Sequence, residues 1–156
     1  MLNCSRIRFL SSVIILGLQF ASVANLNAQG GDEHVKNQIS FEESSCVSTL
    51  RMINVAEGTY WGGVEAKGYA GSLGELGPAG VSLIDKATAS GKKDGYRFRL
   101  KPKREVGHGP IKHYTVTARP IKRLSDEQKS FFTDESGRIH FTTQNRGATI
   151  ADPVVR

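Results

Sequence analysis

The chain is poor in cysteine, with only Cys4 and Cys46 among its 156 residues. Cys4 falls in an N-terminal stretch laid out like an export signal, so a processed chain would keep Cys46 alone. That excludes an intrachain disulfide and any metal centre built on thiolates, and it leaves stability to packing. Long apolar runs are scarce too. The run from Phe9 to about Leu18 falls short of the roughly 20 residues a spanning helix usually needs. The Gly-rich middle of the chain contains no G-x-x-x-x-G-K-[ST], and no strand leads into a G-x-G-x-x-G, so no phosphate-binding loop is present. No cofactor and no small-molecule substrate are expected.

What the N-terminus does have is order. In "MLNCSRIRFLSSVIILGLQFASVANLNAQGG", Arg6 and Arg8 precede the apolar run, and small and polar residues follow it. Residues 1–28 therefore read as a signal peptide, cut after Ala24 or Ala28, which places the protein in the periplasm or outside the cell. The alternative is an uncleaved inner-membrane anchor, with its arginines in the cytoplasm and the domain outside. Loss of the two arginines takes the net charge of +6 to +4. Residues 29–39, "QGGDEHVKNQI", read as a polar linker, and residues 40–156 as one domain with a modest core.

A helix is expected to begin after Ser40, because Ser40 and Glu43 have the spacing of a capping box. Its end is expected near Glu57, with Gly58 as the closing residue. At helical periodicity Cys46, Leu50, Ile53 and Tyr60 share one stripe, with Ala56 at its edge, and Phe41, Met52 and Val55 form a second. Cys46, central in the better stripe, reads as a buried small hydrophobe. Glu57 projects onto the same stripe, which suggests that the helix leaves the core there. The stretch Gly58 to Gly80 holds too many glycines for a regular element and is anchored by Trp61, Tyr69, Leu73 and Leu76. A short helix over "VSLIDKATASG" follows.

The last third alternates as strands do. "GYRFRLKPK" puts Tyr96, Phe98 and Leu100 on one side, and Arg97, Arg99, Lys101 and Lys103 on the other. "KHYTVTARPI" repeats the pattern, and "SFFTDESGRIHFT" reads as two short runs about a turn. The expected fold class is α+β, with one long N-terminal helix packed on a small antiparallel β-meander.

From about Ser44 to Pro153 the chain resembles the globular heads of bacterial type IV pilin-like proteins, which are close in fold to type II secretion pseudopilins. The stretches that carry the resemblance are "SCVSTLRMINVAEGTY", "GYAGSLGELGP", "LIDKATASGKKDGYRFRL", "YTVTARP" and "SFFTDESGRIHF", in that order. The resemblance implies a non-enzymatic structural subunit. In such proteins the apolar first half of a long helix packs into a filament, and the second half lies on a small sheet. It also implies pilus or secretion-system subunits as partners, which the stripe of Phe41, Met52 and Val55 could meet; in a free module the Trp61 loop could cover that stripe instead. The prepilin cleavage motif of that family, a Gly followed by Phe-Thr-Leu-Ile-Glu, has no counterpart here.

Residues able to do chemistry are few. His34 lies in the linker and His108 in the loop "EVGHGPIK". His113 and His140 are expected on the solvent side of the sheet, without a carboxylate at a telling spacing, so no catalytic site is assigned. Asp134, Glu135 and Ser136 in "TDESG" could offer oxygens to calcium but also make an ordinary turn, which is the favoured reading. The basic face is the better candidate. Lys92 to Arg123 holds eleven Lys or Arg against Asp94 and Glu105. Arg97, Arg99, Lys101, Lys103, Arg119 and Arg138 would make a polyanion-binding face for DNA, anionic polysaccharide or lipid head groups, against the plainer reading of a solvated strand face.

Overall fold

The computed structural model describes residues 23–63, 68–104 and 109–156. The signal or anchor expected over 1–28 lies largely outside the described residues, as does His108. Among the described residues no helix is long and apolar enough to cross a membrane. The chain forms two units, Met1–Glu33 and His34–Arg156, and the second holds the sheet and the core.

Helix α1 runs Val23–Gly62, longer at both ends than the sequence suggested. It passes unbroken through the stretch expected to be a linker. No proline interrupts residues 23–62, and glycine in a helix costs only about 1 kcal/mol relative to alanine. The expected capping box does not form, because Ser40 is internal to the helix. Glu43 instead reaches across to Lys129, accepting from its backbone N at 2.8 Å and its Nζ at 2.6 Å. Gly58 closes nothing, since the helix continues for another turn.

An S-x-x-E pair does cap a helix further along the chain, with its glutamate turned to the residue before the cap. In the Gly-rich stretch expected to be irregular, Ser72 Oγ accepts from Glu75 N while Glu75 Oε2 accepts from Gly71 N, and the short helix α2, Leu73–Leu76, results. The helix expected over "VSLIDKATASG" contracts to α3, Lys86–Ala89. Asp85 fixes its start by accepting from the backbone of Ala87 and Thr88. The Thr88 hydroxyl, then Lys93, hold the Asp85 carboxyl well below the usual carboxylate range.

Five strands, β1 Lys92–Lys93, β2 Tyr96–Arg104, β3 Ile111–Pro120, β4 Ser130–Asp134 and β5 Ile139–Thr142, make an antiparallel meander in sequence order. The α+β expectation holds, with five strands where the alternation indicated three, since β1 was not expected and "SFFTDESGRIHFT" forms two. Strand β1 arises from a two-residue loop in which Asp94 (φ 43°) and Gly95 (φ 79°) take the positive φ angles such hairpins require. Gly95 is needed twice over, because a Cβ there would lie 2.5 Å from Glu42 Cδ.

The register aligns Phe98, Ala118, Phe131 and Phe141 in one row and Leu100, Val116, Thr133 and Ile139 in the next. These rows face α1, which buries Cys46, Leu50, Ile53 and Ala56 against them, and Leu73, Leu76 and Ile84 close one end of the core. Each large apolar side chain buried this way contributes about 1.5–3 kcal/mol relative to exposure. Hydrogen bonds pin the helix register as well: Asn54 Nδ2 donates to Thr133 Oγ1, Tyr114 OH to Asn54 Oδ1, and Gln128 Nε2 to Glu42 Oε2. The C-terminal segment lies along β5, where Phe141 N donates to Pro153 O and Val155 N to Ile139 O. It thereby covers an edge that would otherwise offer unpaired backbone groups.

Candidate functional site

Strand alternation delivers the cations where it should. Arg97, Arg99, Lys101 and Lys103 are all exposed on the side of β2 away from the helix, and Arg119 is exposed on β3. Register adds a residue that alternation did not place, because Lys92 stands opposite Arg97, which stands opposite Arg119. Three cations thus form one row across three strands. The Asp-Gly dipeptide at 94–95, an ordinary hairpin signal, would have set Lys92 there. Arg138 is exposed but separate. It precedes β5 beside the Asp134 end of β4, level with Lys101 and Thr115 and away from the Arg97–Arg119 row.

A pocket of about 220 Å³ lies on this face, lined by Arg97, Arg99, Thr117, Arg119, Pro120 and Ile121. Several carboxylates of the neighbouring segments are engaged elsewhere, and Glu105 lies outside the described residues. Asp85 binds Lys93 at 2.9 Å, and Asp94 accepts from the Ser45 hydroxyl. Asp134 Oδ1 accepts from Ser136 N, and Glu135 meets His113 Nδ1 at 2.7 Å. Arg119 donates to the neutral Asn145 Oδ1 at 3.3 Å. Among the described residues no carboxylate reaches Arg97, Arg99 or Arg119.

The histidines do not form a pair. His113 is exposed and bound to Glu135, a carboxylate that its sequence spacing did not reveal. His140, expected on the solvent side, is only 7% exposed. It packs edge-on to Phe132, and its Nδ1 lies 2.6 Å from Asp152 O, because the C-terminal segment covers it. Strand alternation gave its face correctly but could not foresee that cover. The "TDESG" oxygens are spent within the turn and on His113, and Gly137 (φ 74°) closes that turn. Among the described residues no group of His, Cys, Asp or Glu is arranged to hold a metal.

The second stripe of α1 divides. Met52 is half-buried against the core, whereas Phe41 and Val55 are 67% and 70% exposed. Trp61 does not cover them, since it packs on Tyr69 with ring centroids 4.7 Å apart and the rings tilted by 42°. Beside this free face, a groove of about 960 Å³ opens between α1, β4–β5 and the C-terminal segment. Its helix wall is Glu43, Ser44, Val47, Ser48 and Arg51, and Phe131 and Phe141 lie among its apolar lining residues. Ser44 is three residues from Phe41 and Arg51 four from Val55, so wall and stripe form one continuous flank of the helix.

Glu57 overturns the expectation that α1 leaves the core at its end. It is 0% exposed. Its Oε2 accepts from Ala70 N at 2.9 Å, while Oε1 is buried without a partner. Burial pushes its carboxyl up to about 7; the Ala70 hydrogen bond opposes the shift and the nearby Glu75 charge adds to it. Cys46 is the inert core thiol expected of it, raised well above the usual thiol range by burial, then by Glu43.

No family model matches this chain, nor does any curated protein or solved structure.

Proposed function

We propose that the protein is an exported, non-enzymatic interaction protein of the pilin-like kind, a subunit or accessory of a pilus or secretion-type assembly. The carrying observation is the free flank of α1, where Phe41 and Val55 stand exposed beside the groove while the opposite stripe is fully committed to the core. A helix that buries one stripe and leaves two apolar side chains exposed beside a groove suits docking of a partner helix. The test is sedimentation of the full chain over a wide concentration range, together with the intact mass of the mature protein. Concentration-dependent association that the Phe41→Ser/Val55→Ser double variant abolishes supports the reading. A mature start near Gln29 with a monomer at every concentration overturns it.

The row Lys92, Arg97 and Arg119, which no carboxylate among the described residues neutralises, favours a second reading, a free periplasmic or extracellular module that binds polyanions through the outer face of the sheet. Binding of this kind weakens steeply with salt as counterions are released. Retention on heparin or DNA that reversal of Arg97, Arg99 and Lys101 to glutamate abolishes supports this reading. Retention indifferent to those changes overturns it.

A further inference from the structure

The outer face of the sheet offers one place where charge and shape coincide. Arg97 and Arg119 are direct cross-strand partners, and Arg99 lies two residues along β2, opposite Thr117. From strand geometry the two β2 arginines start about 6.7 Å apart, and the β3 arginine about 4.8 Å away on the neighbouring strand. All three line the 220 Å³ pocket, with Thr117 between them and Pro120 and Ile121 beside them. We propose that this pocket binds a single tetrahedral oxyanion, phosphate or sulfate, either free or as an ester group on a larger molecule. The proposal rests on the polyanion reading of the face and narrows it to three arginines.

Three physical arguments converge on it. Like charges directly opposite on neighbouring strands destabilise a sheet, and here Lys92, Arg97 and Arg119 stand in one row with no carboxylate among the described residues to offset them. A bound dianion converts that repulsion into attraction. The guanidinium is a planar fork that meets phosphate or sulfate oxygens two at a time. Three forks have enough donors for a tetrahedral anion, whereas a carboxylate with two oxygens satisfies one. Size points the same way, because whole small molecules occupy pockets of about 300–1,000 Å³, and this one, at 220 Å³, suits a single group and its water. Asn145 steadies Arg119 without cancelling its charge. Base stacking is not served, since Tyr96 and Phe98 are buried on the other face and Phe132 is engaged with His140.

The test titrates the full chain with inorganic phosphate, sulfate and acetate, following arginine side-chain N–H signals by NMR. A parallel measurement records the salt concentration at which the chain elutes from heparin. The key variant is Arg97→Lys/Arg119→Lys, which keeps every charge and removes two forks from exposed positions. Expected are saturable shifts at Arg97, Arg99 and Arg119 with phosphate and sulfate, little response to acetate, and at least about tenfold weaker phosphate binding in the variant, with heparin elution nearly unchanged. Equal binding by the lysine variant, equal response to acetate, or shifts centred on Lys101 and Lys103 would overturn the pocket. Heparin retention without phosphate titration also overturns it, while leaving the polyanion reading intact. Saturation of the arginines by phosphate without heparin retention upholds the pocket and removes the polyanion reading. A response to sulfated oligosaccharide stronger than to free sulfate identifies the ester as the source.

Discussion

Strand β2 faces two worlds. Tyr96 and Phe98 enter a core closed by Cys46, Leu50 and Ile53, while Arg97 and Arg99, one residue along, stand in solvent opposite other cations. The inner face is fixed by many cooperating contacts, so that changing one residue disturbs several. The outer face is fixed by little beyond alternation, and its like charges oppose folding slightly. The backbone is the same for both. The contrast teaches that the contacts that stabilise the domain and the cations proposed to bind an anion lie on opposite sides of one sheet and can be altered separately.

The largest expected effect probes the inner face. Leu50→Ala should destabilise the domain by about 2–5 kcal/mol, through lost burial plus an unfilled cavity, as read from denaturant unfolding. A loss below about 1 kcal/mol would mean that the helix is not committed to the sheet. The next concerns Glu57, a carboxyl buried on the inner side. Its folded value of about 7 lies above the ordinary 4.5, so the proton is held more tightly in the folded state. Stability from this group is fully present below about pH 4.5 and is lost as pH rises through 7, amounting to at most about 3 kcal/mol. Unfolding free energy should therefore fall between pH 5 and pH 8, and Glu57→Gln should flatten that slope. A slope unchanged by Glu57→Gln would mean that other groups set it. At the acid end Asp85, held low by Thr88 and Lys93, acts in the opposite sense, its contribution being lost as pH falls.

Smaller effects belong to the outer face. Arg119→Thr should stabilise the domain by about 0.5 kcal/mol at low salt by relieving the cross-strand repulsion, and the gain should fade as salt rises. A loss of stability instead would show that Arg119 supports the fold through Asn145. The smallest expected change is in Phe41→Ser, which should leave the unfolding free energy of the monomer within about 0.5 kcal/mol. Any larger loss that grows with protein concentration would mean that this face is covered in solution.

Much of the arrangement could be read from the chain. The alternation in "GYRFRLKPK" fixed which side chains of β2 face inward, because a pleated strand leaves no other choice. The Cys46, Leu50, Ile53 stripe was legible for the same kind of reason, at helical period. Cross-strand neighbours were not legible. The row of Lys92, Arg97 and Arg119 depends on hairpin register, and the carboxylate partner of His113 sits twenty-two residues away in sequence.

Local devices proved to be only half-determined by local sequence. Ser40–Glu43 and Ser72–Glu75 have the same spacing, yet only the second caps a helix, since Glu43 is drawn to Lys129 and the chain before Ser40 continues as helix. Glu57 and His140 carry the same lesson for polar groups. Their faces followed from periodicity, but burial required the chain around Ala70 to close over one and the C-terminal segment over the other. By itself, then, the sequence determined the elements and which way each side chain points, because backbone geometry ties direction to position. The tertiary structure alone decided which charges meet, which are left unpaired and which are shut from water, because those depend on segments far apart in the chain arriving at the same place.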